Sequence, residues 1–191
     1  MDADAVELRV LGSLIEKQRT TPDTYPLSVN ALRLACNQST NRDPVVEYDE
    51  PEIRAALDRL SHRGWARLAS GPGSRAVKYR HLFEEAVGVS APQISVLAVL
   101  MLRGTQTVGE LKGRTERLHR FESLAEVDQT LHALAQRELV RRLDRSPGQK
   151  EERWTHLLGE GGAEPPAIEP DPLEQRLRRL EERVAALEDR F

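Results

Sequence analysis

The chain has a single cysteine, few aromatic residues and no long hydrophobic run. One cysteine, Cys36, excludes an internal disulfide and a cysteine-rich metal site. The longest apolar run, Val96 to Leu102, is too short to cross a bilayer. The acidic first residues, Met1 to Asp4, lack the basic and apolar regions of a signal peptide. We therefore expect a cytoplasmic protein that does not associate with a membrane.

Sequence signals for catalysis and for cofactors are also missing. The histidines show no metal-ligand spacing with each other or with Cys36, and no glycine-rich loop of the phosphate-binding type is present. Cys36 is more typical of a small buried apolar residue than of a nucleophile. We expect no catalytic residue, no metal and no cofactor, and hence a non-enzymatic protein.

The chain also lacks an overall excess of positive charge, since its formal net charge is −3. Residues 1–88 carry 12 basic and 13 acidic residues, residues 89–158 carry 11 and 9, and residues 159–191 carry 5 and 9. Many duplex-binding domains are clearly basic as a whole. Any nucleic-acid surface must therefore be a local patch, and the charge distribution favours residues 89–158.

What the chain does have is an internal repeat. Glu52–Leu60 has a helical pattern and is followed by strand-like segments on either side of a Pro72-Gly73 turn. The same order returns 74 to 75 residues later, from Glu126–Leu134 through a Pro147-Gly148 turn. In each copy the second strand has an aromatic residue near its start, Tyr79 or Trp154. A helix followed by a hairpin is the second half of a winged helix-turn-helix.

The residues before each copy supply two further helices. Leu8, Leu11 and Leu14 form the apolar stripe of a helix from about Asp4 to Lys17, and Ser28 can cap a second. The later copy matches, with a capping box at Thr107 and another at Ser123. We therefore predict an α+β fold of two tandem winged helix-turn-helix domains, at 1–88 and 89–158. We expect Trp65 and Leu139 to occupy equivalent core positions, as should Tyr79 and Trp154.

Several short sequence motifs, spread over about residues 5–158, resemble those of the YceH-like family of bacterial proteins. They include Glu16-Lys17-Gln18, Tyr25-Pro26-Leu27-Ser28, Ala35-Cys36-Asn37-Gln38, Asn41-Arg42-Asp43-Pro44-Val45, Leu102-Arg103-Gly104 and Gly109-Glu110-Leu111. The resemblance implies a pair of winged helices and supplies no mechanism. Val108 stands where the family pattern leads us to expect a proline, which removes a preference for helix initiation.

The candidate nucleic-acid surface lies mainly on the second repeat. In a helix-turn-helix, the helix before the recognition helix commonly crosses the phosphate backbone. The alternative interpretation of such a run of basic residues is a helix face that is simply solvated. On the recognition helix, Gln129, His132 and Gln136 face outward, and in the first repeat Ala55, Asp58, Arg59 and His62 do so. Acidic residues lie at the start of both recognition helices, where they repel phosphate, and this weakens the DNA hypothesis. The basic residues assigned to this surface are Lys112, Arg114, Arg117 and Arg120, with Arg75, Lys78, Arg145 and Lys150 near the hairpin turns.

A polar loop from Asn37 to Asp43 is a candidate partner-binding segment. Its side chains Asn37, Gln38, Asn41, Arg42 and Asp43 offer many donors and acceptors. The alternative is internal turn chemistry, in which such side chains bond their own backbone.

The last part of the sequence predicts a linker and a coiled coil. Residues 159–172 are rich in proline and glycine, which indicates a disordered linker. Residues 173–191 form a heptad pattern whose g-position arginines and e-position glutamates favour a parallel homodimer; a helix folded back on a winged-helix domain is the alternative. The seam residues are Leu173, Leu177, Leu180, Val184, Leu187 and Phe191.

These observations together predict a binding module. Double-stranded DNA is the leading partner, with a regulatory outcome. Another protein is the alternative partner, because winged helices also serve as docking domains.

Overall fold

The computed structural model describes residues 2–69, 76–144 and 151–159, which form seven α-helices and six short strands. The first repeat consists of α1 (Ala5–Thr20), β1 (Leu27–Ser28), α2 (Val29–Cys36), α3 (Glu50–His62), β2 (Ala66–Leu68) and β3 (Lys78–His81). After α4 (Phe83–Val87), the second consists of α5 (Ala91–Arg103), β4 (Gln106–Thr107), α6 (Val108–Arg114), α7 (Leu124–Ala135), β5 (Val140–Leu143) and β6 (Arg153–His156). The mixed α+β class is thus confirmed.

Side-chain caps define where the helices begin. Asp4 accepts from the Glu7 amide at 2.8 Å, and the Glu7 carboxylate accepts from the Asp4 amide at 3.0 Å. Asp49 and Thr107 cap α3 and α6 with the same reciprocal pattern. Ser123 completes only half of its predicted box, because the Glu126 carboxylate accepts from the amide of Glu122 instead.

The first helix is longer than the predicted end at Lys17. It continues to Thr20, and Thr21 is its C-cap. Pro22 disfavours helical geometry only at the residue before it, so the helix can reach Thr20. A short 3-10 helix, Pro22–Thr24, then leads into β1.

Each repeat carries its own three-stranded antiparallel sheet, with β3 central between β1 and β2, and β6 central between β4 and β5. Tyr79 pairs with Leu27 in the first sheet, and Trp154 pairs with Gln106 at the corresponding position in the second. The two aromatic residues thus occupy equivalent strand positions, as predicted, but only Trp154 is buried in the core, since Tyr79 is half-buried.

The predicted equivalence of Trp65 and Leu139 is confirmed by their backbone contacts. The Trp65 amide donates to the Leu60 carbonyl at 2.8 Å, and the Leu139 amide donates to the Leu134 carbonyl at 3.1 Å. Both side chains are buried. Each residue therefore ends the turn that follows the third helix of its repeat.

Helix α1 packs between the other helices of its own repeat and α5 of the second repeat. Every residue from Glu7 to Glu16 is buried, including the polar ones. Gly12 lies against α5, where a Cβ would come within 2.9 Å of Leu102 Cγ. The absence of a side chain at Gly12 therefore allows the close approach of the two helices.

The buried charges of α1 are compensated by specific partners. Arg63 Nε donates to the Glu7 carboxylate at 2.9 Å. Arg9 donates to the carbonyls of Cys36 and Pro44 at 3.1 and 2.7 Å. These contacts explain how a helix with charged residues on several faces becomes buried on all sides, which the apolar stripe alone did not predict.

The start of the chain is joined to the end of the second repeat. The Ala3 amide donates to the Leu158 carbonyl at 3.1 Å, and Ala3 forms a parallel β-bridge with Gly159. At the middle of the chain, Arg137 after α7 donates to the Gly88 carbonyl at 3.0 Å. These contacts and the packing of α1 on α5 link the two repeats.

Several predicted features lie outside the described residues. They are the Pro72-Gly73 and Pro147-Gly148 turns, the linker beyond Gly159 and the heptad segment at 173–191.

Candidate functional site

The basic residues of the second repeat lie on α6 and in the turn that follows it. Arg114 is paired with Glu110 at 3.3 Å, and Arg120 with Glu116 at 3.4 Å, both with (i, i+4) spacing. Within the described part of the chain, Lys112 and Arg117 form no ion pair. Two of the four predicted cations are therefore partly neutralised.

The outward face of α7 carries the predicted residues. Gln129, His132 and Gln136 are exposed. His132 Nδ1 donates to the Asp128 carbonyl at 2.8 Å, and its ring contacts Trp154 edge-on with centroids 5.6 Å apart. His132 therefore also connects the helix to the central strand of the sheet.

The corresponding face of α3 is more nearly neutral. Ala55, Asp58, Arg59 and His62 are exposed, as predicted. Arg59 is paired with Asp4 at 2.6 Å, and Arg54 with Glu50 at 3.4 Å. The cations of this helix are thus engaged by carboxylates of the same repeat.

Of the basic residues predicted near the hairpin turns, the structure describes Lys78 alone. Lys78 is half-buried at the start of β3, where it pairs with Ser28. Arg75, Arg145 and Lys150 lie outside the described residues.

Most of the polar-loop side chains are bonded within the chain. The Asn37 side-chain amide donates to the Tyr48 carbonyl at 2.8 Å, and its oxygen accepts from the Tyr48 amide at 3.0 Å. Arg42 is buried; it donates to the Glu16 carboxylate at 2.6 Å and to the Ala35 carbonyl at 2.8 Å. These contacts match the internal chemistry that was the alternative reading of this loop.

The other end of the loop crosses to the second repeat. The Asp43 amide donates to the Leu102 carbonyl at 2.9 Å, and Arg103 donates to the Asn41 side-chain oxygen. The Asp43 side chain is exposed. The loop therefore forms one wall of a cleft between the repeats.

This cleft encloses a cavity of about 200 Å³. The cavity brings together two predicted sets of residues that are far apart in sequence. One set is Gln38 and Asn41 of the polar loop, and the other is Arg114 at the end of α6 and Arg117 after it. Lys17 and Arg103 complete a group of four basic side chains around it, and Glu16 is the acidic side chain in the lining. Sequence reasoning did not select Lys17 or Arg103, although both lie within motifs of the family resemblance.

The titratable residues in the core have shifted pKa values. Burial raises the pKa of the Cys36 thiol to about 11, so the thiol stays protonated at neutral pH. Burial lowers the pKa values of His81 and His156 to about 4. Among the described residues, no group of three His, Cys, Asp or Glu side chains is arranged to hold a metal ion. None of the described helices is long and apolar enough to cross a membrane.

Comparison with known proteins shows one family throughout. Residues 3–149 match the family described as "Protein of unknown function, DUF480". A UPF0502 protein of Opitutus terrae is 49% identical over 188 residues, which cover 95% of this chain and 81% of the relative. One from Dechloromonas aromatica is 50% identical over 189 residues, covering 96% and 88%, and one from Citrifermentans bemidjiense is 52% identical over 157 residues, covering 81% and 73%.

Proposed function

The chain belongs to the DUF480 family of bacterial proteins, whose description names no activity. From the side chains of this protein, we propose that it is a non-enzymatic, duplex-DNA-binding protein with two tandem winged helices. The order helix, strand, helix, helix, hairpin in each repeat supports the winged helix-turn-helix part of this proposal. The second repeat supplies the DNA surface.

One observation carries the proposal. Basic side chains of α6 and its following turn precede α7, whose exposed face presents the amide and imidazole groups of Gln129, His132 and Gln136. Cations on the helix before the recognition helix contact phosphates, and glutamine can pair with adenine in the major groove. Glu126, the acid in the first turn of α7, is held by the amide of Glu122 and lies 3.8 Å from His119.

The experiment is a salt-dependent titration of the full chain with random duplex DNA. Phosphate contacts make log affinity fall linearly with log salt, with a slope of roughly −0.9 per neutralised phosphate. Replacing Lys112 and Arg120 by alanine should weaken binding to every sequence alike and flatten the slope by roughly two. A double variant that binds random duplex as tightly as the wild type, with the same slope, rules out this surface.

A protein-docking function is the second candidate, and the α3 face favours it. Its arginines are already paired with acids, and Glu50 and Glu52 open the helix. Such a face repels phosphate and suits a partner with mixed charge. This candidate would be favoured if the chain does not bind random duplex DNA at any moderate salt concentration but binds one protein partner, and if Asp58→Ala weakens that binding.

A further inference from the structure

The cleft between the repeats concentrates positive charge in a protein whose net charge is negative. Four basic side chains line it, and the carboxylate of Glu16 is already bound by Arg42 at 2.6 Å. We propose that this cleft binds a small, multiply charged oxyanion, a phosphorylated or polycarboxylated metabolite held by Lys17, Arg103, Arg114 and Arg117. The proposal goes beyond DNA binding and does not depend on it.

Three of the four cations of the cleft keep their capacity for an anion, whereas Arg114 is already paired with Glu110 at 3.3 Å. Arg103 donates to the neutral side-chain oxygen of Asn41 rather than to a carboxylate. Arg117 has no ion-pair partner among the described residues, and Lys17 is 3.6 Å from the Glu16 carboxylate that Arg42 holds more tightly. Guanidinium groups that lack carboxylate partners are suited to bidentate contact with phosphate or carboxylate.

The electrostatics of the cleft also favour a bound anion. Burial lowers the pKa of Arg103, and the nearby positive charges of Arg114 and Arg42 lower it further. Like charges held together in a partly desolvated cleft repel one another, so an anion between them relieves this repulsion.

The size and mixed character of the cavity indicate which kind of anion fits it. A volume of about 200 Å³ lies below the roughly 300–1,000 Å³ of drug-sized ligand pockets, so the ligand is small. Val99, Leu102 and Leu118 contribute apolar surface beside the cations. That combination suits the carbon skeleton of an organic anion better than an inorganic ion alone.

The lining comes from both repeats, with Lys17 from α1, Gln38 and Asn41 from the loop, and Arg103 from the end of α5. A bound anion would therefore tie the repeats together. Because such a ligand binds only the folded chain, it also raises the unfolding temperature.

The first test uses inorganic pyrophosphate, titrated calorimetrically into the full chain at low ionic strength, with sodium chloride at matched ionic strength as reference. We expect saturable binding of one pyrophosphate per chain. Lys17→Gln with Arg103→Gln should weaken binding by about 100-fold or more, because the double variant removes two hydrogen bonds to a charged group. Arg67→Gln, which removes an exposed arginine on β2, should bind as the wild type does. Heat that never saturates, or a double variant with unchanged affinity, overturns the proposal.

A second measurement needs no variant and remains informative if the double variant fails to fold. Pyrophosphate added to the isotope-labelled wild-type chain should shift the amide resonances of Gln38, Thr40 and Leu118, all at the cleft. Shifts confined to α7 or to the sheets overturn the proposal.

Phosphate oxygens could also come from a DNA backbone, and the two sources are distinguished with random duplex. A metabolite site requires that the Lys17→Gln/Arg103→Gln variant loses pyrophosphate binding while it keeps duplex binding, which Lys112 and Arg120 serve. Loss of duplex binding in that variant, with no pyrophosphate binding by the wild type, would assign the cleft to the DNA backbone and overturn the proposal. Failure of the DNA-binding function instead leaves pyrophosphate binding intact.

Discussion

His81 and His156 are buried in the two sheets, where one ring nitrogen of each has a hydrogen-bond partner. His81 Nε2 donates to Gln18, and His156 Nδ1 accepts from the Leu158 amide at 3.4 Å. Burial is the main cause that lowers both pKa values, from 6.5 to about 4. Both imidazoles are therefore neutral in the folded chain at neutral pH.

These histidines predict a loss of stability in mild acid. Between pH 6.5 and about 4 the unfolded chain binds a proton at each histidine and the folded chain does not. Unfolding is therefore favoured as pH falls, by roughly 1.4 kcal/mol per pH unit for each histidine. Urea denaturation from pH 7 to 4.5 measures this slope.

Matched variants assign the slope to a residue. His156→Asn keeps an acceptor for the Leu158 amide and should remove about half of the histidine contribution. His62→Asn, at an exposed position on α3, should leave the slope as it is. An unchanged slope in His156→Asn would contradict the assignment.

At the scale of the element, the polar loop is held by the buried pair Arg42 and Glu16. Arg42→Leu would leave the Glu16 carboxylate without its closest partner in a largely buried position. Breaking a buried ion pair on one side costs roughly 3–5 kcal/mol. We expect a fall of that order in the free energy of unfolding, measured with urea, whereas Arg67→Leu at an exposed position on β2 should change it by about 0.5 kcal/mol or less. Equal effects of the two substitutions would exclude a special role for the pair.

The contact of α1 with α5 can be tested with two glycines that should respond oppositely. Gly12→Ala places a Cβ 2.9 Å from Leu102 Cγ, and such overpacking costs roughly 1–3 kcal/mol. Gly113 in α6 has nothing within 4 Å of its Cβ position, so Gly113→Ala should stabilise the chain by roughly 0.5–1 kcal/mol. Thermal unfolding of the two variants measures both signs, and stabilisation by Gly12→Ala would contradict the close packing.

The elements themselves were largely predictable from the sequence, because apolar spacing and capping residues are local signals. Asp4, Asp49 and Thr107 cap the helices that the sequence predicted, and the repeat predicted the equivalence of Tyr79 and Trp154. The burial of Arg9 was not predictable, since it depends on carbonyls supplied by residues 27 and 35 positions away.

The same distinction holds for the candidate site. Gln38, Asn41, Arg114 and Arg117 were each selected from local composition. These residues line one cleft with Arg103 because α1 packs on α5. A sequence pattern within a single repeat does not predict that packing.

At the scale of the whole molecule, the heptad seam at 173–191 predicts a parallel homodimer, and this segment lies outside the described residues. Leu180→Lys places a charge at a central seam position and should give a monomer, whereas Gln175→Lys at an outer position should remain a dimer. Sedimentation of full-length chains at concentrations well above micromolar measures the mass. A wild-type chain that is monomeric there would rule out association through this segment.

The contact of Ala3 with Leu158 and Gly159 has a consequence for synthesis on the ribosome. The chain emerges from its amino end, so Ala3 is available long before its partners have been translated. The α1 surface that meets α5 likewise stays uncovered until the second repeat has left the exit tunnel. During that interval the nascent chain exposes an apolar face of α1 that a chaperone can bind, and this face is covered only when α5 has emerged and packs against it.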